Sequence, residues 1–386
     1  MKRRDQGLDW VLMTATLLLV VLGTVLVWSA TSQREALTGG DSTVYLKKQL
    51  VNVAIGLVLM VMVLATDHRW VRIIAPLIYF VSVIGLVLVL TMGSVVNGSR
   101  SWLMFGGLSI QPSEFAKLAV VIGMALLVAE RSEGTWKPRI GSGDVIGMLA
   151  IAGLPAALIL LQPDLGTMLV LTATVFGVLA IAGAPRRWLV GLFAGGVVVA
   201  VLAVTGGLLK DYQIDRFMAF TDPMLDPRGA GYNTEQARIA VGNGGIFGQG
   251  LFGGSQTKSG FVPEQHTDFI FTVAGEELGL LGAGVLIALI GIIIWRALWI
   301  ATHATDMFGR VAAGGIACWL GFQAFQNIGM CLGIMPVTGV PLPFVSYGGS
   351  SMFAGMLAVG LLQNIHLRGA SALPTRFVQS RSLVSR

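Results

Sequence analysis

Phe261-Val-Pro-Glu-Gln-His-Thr-Asp-Phe-Ile-Phe-Thr-Val-Ala-Gly-Glu-Glu277 sets five ionisable side chains directly ahead of an apolar run that starts at Leu278. They are Glu264, His266, Asp268, Glu276 and Glu277. In a chain with only 12% charged residues, such a gathering at the mouth of an apolar run marks function or an unusual packing need. The run itself decides the fold class. Comparable stretches of roughly 18–20 residues recur along the chain, the length that crosses a hydrocarbon core. Hydrophobic residues make up 54% of the 386, glycines number 51 and mean hydropathy is +0.77, which excludes a soluble protein of two or three domains. The chain reads as an all-α integral membrane protein.

Working outward, about ten transmembrane helices are expected, near residues 9–31, 47–66, 73–92, 114–130, 145–161, 165–183, 187–206, 270–300, 308–333 and 347–367. Pro155 interrupts the fifth. The first run follows Lys2, Arg3 and Arg4 and ends at Trp28-Ser-Ala30, as a signal peptide would, but it exceeds the roughly 7–15 residues of a signal core. It is read as an uncleaved helix. The domain division is a tail at 1–8, one polytopic domain at 9–368 and a tail at 369–386. With the N-terminus in the cytoplasm, sixteen Lys and Arg fall on the cytoplasmic side and, leaving out the five in the long loop 207–269, four (Arg34, Lys47, Lys48, Arg100) on the other. That asymmetry orients a membrane protein. The net charge of +6 is accounted for this way, not by a nucleic-acid partner. Asp268 is then extracytoplasmic, at the end of a long loop, 207–269. Tyr212, Phe217, Phe220, Tyr232, Ile246, Phe247 and Phe252 lie in that loop among Asp222-Pro223, Asp226-Pro227 and many glycines, which predicts a compact loop over the bundle.

Cys318 and Cys331 lie about 20 Å apart along one helix and cannot bridge. The four histidines show no metal-ligand spacing, so no metal residues are assigned. Gly248-Gln-Gly250-Leu-Phe-Gly253 matches the dinucleotide fingerprint in letters only, since no strand precedes it and no βαβ unit surrounds it. Its glycines predict tight turns at positive φ, with exposed N–H groups near a pyrophosphate as the alternative. Gln111-Pro-Ser-Glu-Phe-Ala-Lys117 opens the fourth span with Glu114 and Lys117 at i,i+3; the bland reading is a pair snorkelling to the interface. Gln162-Pro-Asp-Leu-Gly-Thr167 is a short turn in which Asp164 caps the sixth helix. Pro336-Val-Thr-Gly-Val-Pro-Leu-Pro-Phe-Val-Ser-Tyr-Gly-Gly-Ser-Ser351 is irregular backbone, tolerated at membrane level where it lines a cavity or is buried in protein. Its hydroxyls and N–H groups suit a sugar or a diphosphate. If the eighth helix begins near Thr267, then Asp268, Thr272 and Gly275 share one stripe; the rival is that Thr267 and Asp268 merely cap that helix.

Asn97-Gly-Ser-Arg-Ser-Trp102, Gln111–Lys117, Gln162–Thr167, Pro263–Phe271 and Pro336–Ser351 together resemble, in order and spacing, the SEDS family of bacterial shape, elongation, division and sporulation proteins. Pro336–Pro343 is more similar to the elongation member RodA than to the division member FtsW. The resemblance implies a peptidoglycan glycosyltransferase that polymerises lipid II on undecaprenyl diphosphate outside the bacterial cytoplasmic membrane, with a class B penicillin-binding protein as partner. It places the essential acidic residue at Asp268 and supporting roles at Glu114 and Lys117. Arg100, His266, Thr267, Ser346 and Tyr347 join them as candidate binding or supporting residues.

The chemistry agrees. A sugar hydroxyl gains from a base within hydrogen-bond reach, and an ionised Asp supplies one. Diphosphate leaves without protonation, so a second acid is not required, but its charge needs stabilising. Inverting transfer follows, with Asp268 as base and Lys117, oriented by Glu114, and Arg100 holding the diphosphate. A divalent cation (Mg or Mn) is compatible with that role, though no ligand set is evident. The alternatives are a lipid-linked-sugar flippase, a division-type polymerase and a scaffold without chemistry.

Overall fold

The computed structural model describes residues 7–66, 68–96, 99–105, 108–132, 140–206 and 229–369. Lys2, Arg3, Arg4, Asn97, Gly98, Lys137, Arg139, the tail from 370 and the loop segment 207–228, with Tyr212, Phe217, Phe220 and both Asp-Pro pairs, lie outside the described residues.

Among the described residues ten long helices lie where the ten spans are expected. They are α1 (Trp10–Ser32), α2 (Val44–Ala65), α3 (His68–Met92), α4 (Pro112–Arg131), α5 (Ser142–Leu161), α6 (Leu165–Ala182), α7 (Arg186–Thr205), α8 (Ile270–His303), α9 (Met307–Cys331) and α10 (Gly349–Gly369). Among the described residues the first eight are long and apolar enough to cross a membrane. The other two, of 25 and 21 residues, are long enough but carry more polar groups. These are buried in protein: Gln323, Gln326 and Asn327 on α9, Gln363 and Asn364 on α10. Pro155 lies inside a continuous α5, so the expected interruption does not occur.

Burial sorts the helices. α4 is sheathed by its neighbours, with 78% of its apolar window buried, whereas no residue of α7 is buried, which leaves α7 at the rim. Close approach sets where glycine is needed. A Cβ on Gly23 of α1 would stand 2.5 Å from the Val345 Cα, so the irregular segment 336–348 presses directly on α1.

Two features depart from the expected bundle. First, β1 (Ser94–Val96), β2 (Ser99–Phe105) and β3 (Leu108–Ile110) form an antiparallel sheet in the order β1-β2-β3, between α3 and α4. Second, α8 is broken at Gly279, where φ is 66° and ψ is −167°. The break frees backbone groups, and the glycine turn at 244–250 takes them up. Gln249 and Gly250 N–H donate to the Glu276 and Glu277 carbonyls at 3.0 Å each, while Leu280 and Leu281 N–H donate to Gly245 and Ile246 at 2.9 and 3.2 Å. Gly248 and Gly250 have φ of 81° and 87°, as tight turns require. The N–H groups of 248, 249 and 250 are all engaged by carbonyls, which removes the pyrophosphate alternative for this motif.

The described part of the long loop, from 229, is compact, with helices at Ala230–Asn243 and Ser255–Ser259. Ala237, Ala240, Thr234 and Thr257 are buried there.

Candidate active site

Asp268 stands just ahead of α8, in a turn closed by Thr267 and Asp268 N–H groups donating to the Glu264 carbonyl at 3.2 and 3.0 Å. Glu264 has φ of 47°, unusual for a side chain bearing a Cβ. The N-cap of α8 is Phe269, with no side-chain cap bond, and the helix starts at Ile270. Asp268 therefore neither caps the helix nor shares a stripe with Thr272 and Gly275, because the start falls beyond the expected Thr267. Thr272 turns inward instead and donates to the Phe269 carbonyl at 2.7 Å.

A cleft of about 150 Å³ opens at this end of the bundle. Its lining draws on all five segments singled out in the sequence: Ser99, Ser101 and Trp102 from β2, Gln111, Asp164, then Thr267 and Asp268, then Thr338 and Tyr347. The surface is rich in hydroxyls and amides, with the carboxylates of Asp268, Glu264 and Asp164 on its walls. No Lys or Arg among the described residues lines it.

The candidate supports take different places. Glu114 and Lys117 are 1% and 0% exposed, so they do not snorkel. Lys117 Nζ donates to Glu114 Oε1 at 2.7 Å and to Gln323 Oε1 at 2.6 Å, and Gln323 Nε2 in turn donates to the Pro341 carbonyl at 2.9 Å. Pro341 lines the cleft; Lys117 does not. Its charge thus reaches the site through the wall, not by direct contact. Arg100 sits between Ser99 and Ser101 but does not line the cleft; its guanidinium donates to the Leu90 carbonyl at 3.2 Å. Neither cation faces the position that the diphosphate-holding expectation requires.

Thr267 lines the cleft and its hydroxyl donates to Glu264, holding the turn. Tyr347 lines it too, and packs against Tyr45 and His266 at centroid distances of 5.0 and 5.6 Å. Ser346 is buried and accepts from Leu342 N–H at 2.8 Å, closing the irregular turn. His266 is also buried; its carbonyl accepts from Tyr347 N–H at 2.9 Å. Burial first, and the Arg34 charge second, lower the His266 pKa to about 4. The folded protein therefore holds this imidazole neutral, while the unfolded chain protonates it near 6.5. Stability is full above pH 6.5 and falls as pH drops toward 4. Thermal unfolding of wild type and His266→Phe across that range should show wild type losing up to about 3 kcal/mol more on acidification.

Asp164 caps α6 as expected, accepting from Thr167 N–H at 2.9 Å, and also accepts from Gln111 at 3.3 Å. Glu276 accepts from Gln256 and Thr257 N–H at 2.7 and 2.9 Å, and Glu277 from the Ser29 hydroxyl at 2.6 Å. The charge density of the 261–277 stretch thus divides: Asp268 and Glu264 face the cleft, while Glu276 and Glu277 fasten the loop.

A family model described as "Cell cycle protein", FtsW/RodA/SpoVE, matches residues 9–370. The chain belongs to the FtsW/RodA/SpoVE family. It is 38% identical over 359 residues to peptidoglycan glycosyltransferase MrdB of Escherichia coli K12, covering 93% of each chain. It is likewise 38% identical to stage V sporulation protein E of Bacillus subtilis, over 92% of this chain and 96% of that one. Among solved structures, Thermus thermophilus rod shape determining protein RodA superposes with a TM-score of 0.68 at 30% identity, over 93% and 97% of the two chains. A chain from a peptidoglycan synthase complex, described as coordinating polymerization and crosslinking, gives 0.77 at 33%, over 94% and 98%. Like these relatives, this FtsW/RodA/SpoVE member is an integral membrane protein.

Two sets of site residues escape sequence reasoning in this family member. One is β2, although the strands are separated by Asn97-Gly98 and Gly106-Gly107, two-residue hairpin signals. The other is the amide row Gln323, Gln326 and Asn327 on α9. Three carboxamides within five positions of an otherwise apolar helix were the available signal.

Proposed function

We propose that this chain is a peptidoglycan glycosyltransferase that polymerises lipid II into glycan strands on the outer face of a bacterial cytoplasmic membrane, in the elongation of the cell. A single observation carries the reading: five motif segments far apart in sequence converge on one hydroxyl- and amide-lined cleft around Asp268. Asp268 takes the proton from the acceptor sugar hydroxyl as that oxygen attacks the anomeric carbon of the donor, and undecaprenyl diphosphate leaves with inversion. Ser99, Ser101 and Tyr347, which line the cleft, would orient the sugars through their hydroxyls.

Membrane sidedness rests on the Lys and Arg distribution. The elongation role rests on Pro336–Pro343 and its likeness to RodA. A class B penicillin-binding protein is the partner that the likeness to a synthase complex favours. Among the described residues no three of His, Cys, Asp and Glu converge closely enough to cage a metal. A divalent cation would accordingly be held by one or two of Asp268, Glu264 and Asp164 together with the substrate diphosphate, whose charge it would neutralise.

A flippase would place its ionisable groups at the bilayer midplane. Here the cleft carboxylates and the Glu114–Lys117 pair gather at one end, within the first turns of α4 and the loops beside it. Purified protein in liposomes loaded with lipid II tests the two readings side by side. Glycan formed without lipid II scrambling is the expected result; scrambling without glycan would sink the polymerase reading.

A further inference from the structure

We propose that Asn327 is the positioning residue for Asp268, an inference that rests on the glycosyltransferase reading. Asn327 is 0% exposed, in the last two turns of α9. Its Nδ2 donates at once to the Asp268 carbonyl and to the Val340 carbonyl, both at 2.7 Å. A single amide group thus bridges the turn that carries the base and the irregular segment that forms the facing wall. A carboxamide NH₂ offers two donors in one plane, so no hydroxyl side chain can replace both bonds. Among the described residues its Oδ1 meets no donor, so the contacts it makes are those of its donor side.

The wall it holds is close to the reacting group. A Cβ on Gly339, whose φ is +68°, would stand 3.2 Å from Asp268 Oδ2. Gln323 and Gln326, on the same helix face, fix the two sides of that glycine through the Pro341 carbonyl at 2.9 Å and the Thr338 hydroxyl at 2.7 Å. Three amides therefore grip Thr338, Val340 and Pro341, on both sides of Gly339, and of the three only Asn327 also bonds the backbone of Asp268. Without it the Tyr347 N–H still ties the segment to the His266 carbonyl, but the Asp268 and Val340 carbonyls lose their shared donor and can shift by the fraction of an ångström that a near-attack geometry does not tolerate.

The test is lipid II polymerisation by the full-length protein carrying Asn327→Ala, with Gln363→Ala as the control. Gln363 is as deeply buried and bonds Asp9 N and O at the opposite end of the bundle. Asn327→Ala should lower kcat about 10- to 100-fold with KM for lipid II within about twofold. Gln363→Ala should lower the unfolding temperature comparably and leave kcat alone. Should the alanine variant fail to fold, Asn327→Asp keeps the size and, when ionised, donates to neither carbonyl; the same kcat loss is expected. Wild-type kcat in Asn327→Asp, an effect confined to KM, or equal kcat losses in Asn327→Ala and Gln363→Ala would each overturn the positioning role. Absence of polymer from wild type would remove the underlying reading instead.

Discussion

Purified Asp268→Asn is expected to polymerise lipid II about 100- to 10,000-fold more slowly than wild type, the range a positioned general base contributes. Asparagine matches aspartate in shape, so the turn closed on the Glu264 carbonyl and the bond from Asn327 to the backbone at 268 both survive. Thermal stability should stay close to that of wild type. The loss should appear in kcat, because the missing interaction is with a proton that moves only in the transition state. Glu264→Gln and Asp164→Asn serve as comparisons, since both carboxylates line the same cleft. Equal turnover by wild type and Asp268→Asn would mean that another group takes the proton.

The second large effect concerns stability. Glu114 and Lys117 are paired at 2.7 Å with side chains 2% and 0% exposed. Lys117→Met strands a buried carboxylate, and Glu114→Gln strands a buried ammonium; each should cost roughly 3–5 kcal/mol, whereas the double variant should recover most of that. Unfolding temperatures in detergent for the two singles and the double decide the matter. Singles no less stable than wild type would show that the pair is hydrated. The recovered double variant also isolates what the pair does for chemistry. Gln323 would keep its bond to the Pro341 carbonyl but lose the ammonium that holds it, so kcat should remain below wild type even with stability restored.

The multi-pass helical plan was legible because an apolar run near the bilayer's thickness has few alternative fates. The place of Asp268 on the cleft wall was foreshadowed by the scarcity of charge in this chain, whereas its role comes from the family resemblance. What stayed hidden depended on direction. A residue in a strand can face either way, so Arg100 read as a cleft cation only while β2 went unrecognised; in the sheet its neighbours Ser99 and Ser101 face the cleft and it does not. Lys117 reads as a diphosphate-holding cation or, on the bland alternative, as an interfacial side chain, because two turns of α4 look the same from sequence whether they meet a cleft, lipid or protein. What decides is the Gln323 and Trp319 face of α9, some 200 positions away. The amides of α9 are hidden for the opposite reason: single Gln and Asn residues in a span carry little weight without the irregular segment they hold.

The discontinuity at Gly279 has a mechanical corollary. With its own ladder interrupted there, the short first portion of α8 that follows the Asp268 turn is coupled sideways to the 244–250 crook as well as lengthwise to the rest of the helix. A displacement of the crook would therefore carry the segment bearing Asp268 with it, with the break at Gly279 separating that motion from the longer part of the helix.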